Sequence, residues 1–378
     1  MKLLMLSGDR DTVIGKRGPF YYMQEVFSKH WDRIDVLVPR PSEKVTVREI
    51  HGRVHFHPAA AGRFQIVKSH ALEGSKLIQQ YGHDAVVSHD YGSYYNGRAA
   101  AKIAHDTKIP WMSELFHVPG IPRAANWKER IEPHLCRIFV KFAMRSGVGA
   151  FRVMNHGELP PFLRSCGVPD HRIRYLSALY LDFDTFKRKS NVEKKWDIVF
   201  VGRMVANKGV GVIIDALSIL TKKGISLKAC FVGVGPEQQK FKDKAKALGA
   251  AVTWVDWLAT KEDLADLYRT SKLLVCASYN EGGPRVTCEA MACGTPVVST
   301  PIGVMTDLIE HGKNGWLYPF DAASLAKSLH EALGDPAAYA AAAAICDRAV
   351  QPFEYKKTIG LYAEGLQQLA REGKGRGA

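Results

Sequence analysis

No stretch of this chain approaches the roughly 18 uninterrupted apolar residues of a membrane-spanning helix, so an integral membrane protein of that kind is not expected. The opening MKLLMLSGDRD turns charged after seven residues, too soon for a secretory signal. Cysteine is scarce: seven residues (Cys136, Cys166, Cys230, Cys276, Cys288, Cys293, Cys346), an odd number without a C-x-x-C pair. That argues against a disulfide framework or a structural zinc site and for buried thiols in a reducing cytoplasm. There is no repeat of solenoid period, and the longest low-complexity run, AAYAAAAA at 337–344, reads as helix. The P-loop pattern is missing, since GRMVANKG lacks G-x-x-x-x-G-K-[ST]. No RNA-binding motif or aromatic-interleaved basic stripe appears, so a nucleic-acid partner is not expected.

What is present is length for two domains and apolar content for two cores: 378 residues, 46% hydrophobic. The net charge of +14 is unevenly placed. Residues 1–190 carry 29 Lys+Arg against 18 Asp+Glu (+11), and residues 191–378 carry 23 against 20 (+3). A basic half suits phosphorylated substrates, an anionic membrane surface or nucleic acid, and equally an ordinary solvated surface.

The C-terminal half alternates strand and helix. WDIVFVG (196–202), SLKACFVGVG (226–235), AVTWVDW (251–257), KLLVCAS (272–278), TPVVST (295–300) and GWLYP (315–319) read as strands. Helical spacing fills 209–224, 236–249 and 261–271, a helix is expected to start near Pro284, and Asp321 caps a last one. The N-terminal half repeats the rhythm less regularly, with strands at 2–8, 34–39, 54–58, 84–89, 109–117 and 149–154 and helices near 18–31, 63–81, 93–107 and 126–146. KRKSNVEKK (187–195), charged and without large apolar residues, reads as the linker. The expected fold is α/β: two Rossmann-like, doubly wound parallel-sheet domains facing a cleft. Ligands of such sheets bind beyond the carboxyl ends of the strands.

The stretch NEGGPRVTCEAMACGTPVV (280–298) carries the most chemistry. It follows a strand and opens a helix. Pro284 suits that helix start, the free N–H groups there attract an anion, and Gly282 and Gly283 admit close approach of a ligand to the backbone. Glu281 and Glu289 are separated by seven residues. Carboxylates repel phosphate, so they are expected to accept hydrogen bonds from neutral hydroxyls. A sugar nucleotide, with sugar, diphosphate and ribose in line, meets all these demands. Singly, each acid is equally an ordinary helix residue. Arg203 and Lys208, in the loop of VFVGRMVANKGVGVIIDAL, add two cations suited to a diphosphate, or are plain surface charges.

FVGRMVANKGV, FVGVGPE, WVDW, the Glu281–Glu289 spacing and the run through GTPVVSTPIGVMTDLIEHGKNGWLYP together resemble the retaining GT-B glycosyltransferases of family four. The resemblance implies a donor site in which Arg203 and Lys208 hold the diphosphate. Glu281 would meet the sugar hydroxyls and Glu289 the ribose. Gly202, Gly282, Gly283, Pro284, Arg285 and Val286 would line sugar and phosphate. Asp256 and Trp257 would meet the base, with Gly233 and Gly235 nearby. It further implies that His117, in SELFHVPG, stands near the reacting carbon, with His89 as a competing choice, and that Gly18 belongs to a basic loop over the diphosphate. Domains are expected at 1–186 (acceptor binding), 196–350 (sugar-nucleotide binding) and 351–378 (a helix crossing back toward the first domain). No metal and no cofactor are implied; the substrate is a UDP- or GDP-linked sugar, and the acceptor a glycan, lipid or lipid-linked saccharide. Many members have Phe-Gly where this chain has Gly283-Pro284, and Leu or Ile at Arg285, which leaves the donor sugar open.

Other readings remain. Asp9–Asp11 and Asp182–Asp184 have the Asp-x-Asp spacing of metal-dependent transferases, but both read as non-metal here. His89-Asp90 and His105-Asp106 are short resemblances to metal phosphohydrolases. A sugar-nucleotide epimerase on the same fold and a non-catalytic basic membrane-binding protein are the rivals. Residues 126–147 mix Trp127, Leu135, Ile138, Phe139, Val140 and Phe142 with Lys128, Arg130, Arg137, Lys141 and Arg145. That mixture suits either a surface-seeking helix or a packed helix with a basic edge. Peripheral contact with an anionic membrane is therefore an expectation, and the location is cytoplasmic, including the inner face of the membrane.

Overall fold

Short runs of β-branched and apolar residues form fourteen strands in the computed structural model, which describes residues 1–60, 62 and 64–375. Arg63, the first residue of the expected 63–81 helix, and residues 376–378 of the last expected segment lie outside the described residues. Contacts group the chain into two units. The first comprises Met1–Val118, Glu132–Ala178 and the chain from Lys356 on; the second comprises Pro119–Ile131 and Leu179–Tyr355.

In the first unit the strands are β1 (Lys2–Leu6), β2 (Arg33–Val38), β3 (Glu49–Ile50), β4 (Val54–Pro58), β5 (Ala85–His89), β6 (Trp111–Glu114), β7 (Ala150–Val153) and β8 (Ile173–Tyr175). They form one sheet in the order β3-β4-β2-β1-β5-β6-β7-β8. All neighbours pair in parallel except β3 with β4, so the expected all-parallel sheet carries a two-residue antiparallel edge. The interior strands are buried along nearly their whole length, as a sheet covered on both faces requires.

In the second unit the strands are β9 (Trp196–Val201), β10 (Ala229–Val232), β11 (Val252–Val255), β12 (Ser271–Cys276), β13 (Val297–Ser299) and β14 (Gly315–Leu317). Their order is β11-β10-β9-β12-β13-β14, all parallel. This is the doubly wound order 3-2-1-4-5-6. The helix Val210–Lys222 shows why it forms: Val210, Ile213, Ile214, Leu217 and Leu220 recur at helical spacing and all are buried against Phe200, Phe231 and Val275. Thr260 closes a reciprocal capping box with Asp263 ahead of the Lys261–Arg269 helix, and Asp321 caps Ala322–Gly334.

The expected boundary at 186 falls inside the second unit. Leu181 N–H donates to the Phe353 carbonyl (2.7 Å), and the Arg269 guanidinium donates to the carbonyls of Thr185 (2.6 Å) and Lys187 (2.8 Å). The segment ahead of the polar linker is thus tied down before the linker begins. The last helix, Tyr355–Gly375, starts four residues later than the expected segment, after a tight 3-10 stretch at Cys346–Phe353.

Candidate donor site in the second unit

A doubly wound sheet opens a crevice where its strand order reverses, here between the carboxyl ends of β9 and β12. The loops after these two strands are joined at backbone level. Tyr279 N–H donates to the Asn207 carbonyl (2.9 Å), and the Asn207 side-chain amide donates to the Asn280 carbonyl (3.1 Å). Gly209 permits this approach: its φ is 63°, and a Cβ there would lie 2.0 Å from the Ala277 carbonyl oxygen.

The consequence is a direct ion pair. Lys208 Nζ lies 2.5 Å from Oε1 of Glu281, both side chains 19% exposed, and the Ser278 hydroxyl donates to the same oxygen. Arg203 projects from the same loop, exposed and without an ion pair among the described residues. Gly202 follows β9 directly. Gly233 (φ 132°) and Gly235 let the loop after β10 press on it, since Cβ atoms there would come 2.0 Å from the Gly202 carbonyl oxygen and 2.4 Å from that of Met204.

The helix expected near Pro284 spans Arg285–Ala292, with Pro284 as its N-cap and no side-chain cap. No side chain caps its first N–H groups, an arrangement that attracts an anion. Gly282 is buried and accepts from Val304 N–H (3.1 Å); a Cβ on Gly283 would lie 3.3 Å from Val304. Gly303, absent from the sequence expectations, is equally required. Its φ is 46°, and a Cβ would sit 2.3 Å from the Glu281 carbonyl oxygen.

Glu289 is 8% exposed and accepts from the Tyr268 hydroxyl at 3.3 Å. Burial pushes its carboxyl above the usual range, against the pull of Arg285, the Tyr268 hydrogen bond and Lys261. The Arg285 guanidinium lies 4.4 Å from the Tyr180 ring centroid. Asp182 lies 3.6 Å from Lys261 and accepts from Thr185, so this member of the second Asp-x-Asp closes a turn. Asp256 accepts from Gln238 (2.6 Å), and Trp257 is 80% exposed beside it.

A support that the sequence did not reveal is the segment Pro119–Ile131. The buried Asn280 amide donates to the Arg123 carbonyl and to Glu129 Oε2, both at 2.8 Å. The Arg123 guanidinium in turn lies 5.4 and 5.6 Å from the Tyr279 and Phe320 ring centroids. The residue before Glu281 is therefore fixed by a piece of chain about 150 positions away.

Gly18 and His117 belong to the first unit. Gly18 is the N-cap of the Pro19–His30 helix, with open space where a Cβ would be. His117 is half-buried beyond β6. The first unit also holds a cavity of about 1180 Å³ at the carboxyl ends of β1, β2 and β5, lined by Arg10, Phe20, Arg40, His89, Tyr91 and Phe116 among others. His89 Nε2 lies 2.9 Å from Oε2 of the fully buried Glu114. Burial would raise the Glu114 carboxyl, but the charges of Arg152 and His89 outweigh it and hold it below its usual range.

Residues 182–346 match the family described as Glycosyl transferases group 1. The C-terminal half is a group 1 glycosyltransferase domain. D-inositol 3-phosphate glycosyltransferase of Thermobispora bispora is 32% identical over 189 residues, 46% of this chain and 44% of that protein. The chain spans less than half the length of the curated relatives it matches. Over the whole chain, the fold is similar to sucrose-phosphate synthase from Thermosynechococcus elongatus (TM-score 0.78, 17% identity, 100% of both chains). It is also similar to HepE from Anabaena solved with UDP and glucose (TM-score 0.73, 20% identity, 97% of this chain and 100% of that one). These likenesses are of fold: the chain shares with those structures the two Rossmann-like α/β units of the GT-B fold, and the group 1 match lies in the second of them.

Proposed function

We propose that the protein is a retaining, metal-independent glycosyltransferase that moves a sugar from a nucleoside diphosphate sugar to an acceptor hydroxyl. One observation carries the reading: Lys208, Glu281 and the uncapped start of the Arg285–Ala292 helix meet at the strand-order reversal of the second sheet. A cation and helix N–H groups serve a diphosphate, and an acid beside them serves hydroxyls.

In this reading Arg203 and Lys208 neutralise the charge that builds on the leaving diphosphate. Glu281 accepts from donor-sugar hydroxyls, Glu289 from the ribose, and Trp257 with Asp256 meets the base. His117 orients the sugar or acceptor. The bond from the anomeric carbon to the phosphate oxygen breaks as the acceptor oxygen bonds to the same face, and the acceptor proton passes to the departing phosphate oxygen. HepE, similar in fold, is solved with UDP and glucose, which makes a uridine donor the first to test. The first unit, with its cavity at the strand ends, takes the acceptor: a glycan, lipid or lipid-linked saccharide. The charge of +11 over residues 1–190, most of which lie in that unit, supports work at the inner face of an anionic membrane.

The test is nucleoside diphosphate release from UDP-, GDP- and ADP-sugars in EDTA, with and without lipid extract as acceptor source. Release from one donor in EDTA, with the sugar recovered on an acceptor in the α- or β-configuration it had in the donor, supports the proposal. An altered sugar still attached to its nucleotide would point to an epimerase instead.

A further inference from the structure

The helix Trp127–Arg145 has two unlike sides. Cys136, Phe139, Val140 and Ala143 are buried and fix its inner face. Leu135, Ile138 and Phe142, all in the first unit, are exposed on a flanking face, Ile138 at 66%. The stripe continues along the same helix through Ile131 and Trp127, itself 67% exposed. The spacing of these five residues, four, four, three and four, keeps them on one line of an α-helix. An ordinary solvated helix face does not carry five large apolar side chains in a row.

Beside the stripe runs a basic edge. Arg130, Lys141 and Arg145 are exposed, and Lys128 sits 5.7 Å from the Trp127 ring centroid. The two acids of the helix are turned to other tasks: Glu129 receives Asn280 and the Ala125 N–H, and Glu132 is half-buried. Among the described residues no helix is long and apolar enough to cross a membrane. A non-spanning helix with an apolar stripe, a tryptophan at one end and a cationic margin has the chemistry of an interfacial helix. Its charge selects the surface: Lys and Arg within a few ångströms of a bilayer are drawn to anionic headgroups.

We propose that the exposed face of the Trp127–Arg145 helix docks on an anionic lipid bilayer. The apolar stripe enters the headgroup–acyl boundary, and Arg130, Lys141 and Arg145 meet the lipid phosphates. This extends the transferase reading by naming the attachment surface, but it does not depend on donor chemistry. The same helix starts at the segment whose Glu129 and Arg123 hold Asn280, so a docked helix and the loop of Glu281 share one stretch of chain.

The experiment is co-sedimentation of the full chain with vesicles of phosphatidylglycerol and phosphatidylcholine in equal amounts, against pure phosphatidylcholine. Ile138→Asp/Phe142→Asp removes the apolar contact, and Lys141→Glu/Arg145→Glu reverses the margin. Both pairs are at the surface, and circular dichroism checks that they fold. The proposal expects binding to the anionic vesicles, little to the neutral ones, and a loss of about tenfold or more in each double variant. Absence of vesicle binding, equal binding to both vesicle types, or undiminished binding in either variant overturns it. So does a dimer of the free protein that Ile138→Asp/Phe142→Asp dissolves without any vesicle binding. Sedimentation is read without donor, so failure of the transferase reading would appear separately, as absent nucleoside diphosphate release.

Discussion

Lys208 and Glu281 form a 2.5 Å ion pair across the mouth of the second sheet, from loops that start 75 residues apart, at Gly202 and Ala277. In the proposed reaction Lys208 belongs to the diphosphate and Glu281 to the sugar. The free protein joins the two, so an incoming donor must separate them. Lys208→Ala should weaken nucleoside diphosphate binding and lower turnover together. Glu281→Ala should lower kcat by about 10²-fold, the scale of losing one transition-state contact, while nucleoside diphosphate binding holds or tightens because Lys208 is released. Calorimetry of the diphosphate beside turnover rates separates the two variants.

Asn280 is a positioning residue in this account. Its amide makes two 2.8 Å hydrogen bonds to Arg123 and Glu129 while 1% exposed. Asn280→Ala takes this donor from the Arg123 carbonyl and leaves Glu129 Oε2 with only the Ala125 N–H, a cost of about 1–3 kcal/mol. The expected outcome is a lower melting temperature and a kcat loss with KM for donor little changed. Glu129→Gln, which keeps an acceptor oxygen, should restore most of what Glu129→Ala loses.

Glu289 gives a pH signature. Burial holds its carboxyl above the usual range, so the unfolded chain ionises it first. Its contribution to stability is therefore full below the ordinary glutamate value, about 4.3, and is lost as pH rises toward its folded value. Binding has the opposite slope, because ribose hydroxyls donate to the ionised form. Donor affinity should rise with pH through that window, and Glu289→Gln should flatten the profile. Titration calorimetry at a series of pH values reads both.

Gly209→Ala tests the joining of the loops. The residue holds φ 63°, and the new Cβ would fall 2.0 Å from the Ala277 carbonyl oxygen. Left-handed backbone at a non-glycine residue alone costs on the order of 1–3 kcal/mol, and the clash adds to it. A stability loss at least that large and a loss of nucleoside diphosphate binding are expected together, by thermal denaturation and calorimetry. Gly18→Ala, with open space at the same atom, is the control and should cost only the ~1 kcal/mol by which alanine is the poorer helix N-cap, with no clash added.

The parts legible in sequence are those written at short range. Alternating β-branched runs and helical spacing located the strands of the second sheet, and the Glu281–Glu289 spacing with Gly282 and Gly283 pointed to the candidate site proposed there. β3 and β8, of two and three residues, carry no periodicity to read. Tyr180, Tyr268 and Gly303 touch the site through tertiary contacts, and Glu129 reaches Asn280 from 151 positions away. The helix at 127–145 shows the same limit: Phe139 and Val140 look no different in sequence from Ile138 and Phe142, yet two are core and two face solvent. Only packing tells a surface-seeking face from a buried one.

Donor turnover at Lys208 and Glu281 underlies every other part of the proposed reaction. The most direct measurement is nucleoside diphosphate release by the wild type, Lys208→Ala and Glu281→Ala from a panel of UDP-, GDP- and ADP-sugars in EDTA. The wild type should release the diphosphate from one donor, and both variants should lose that release. Release that persists in both variants, or a wild type that neither binds nor turns over any donor, would contradict it.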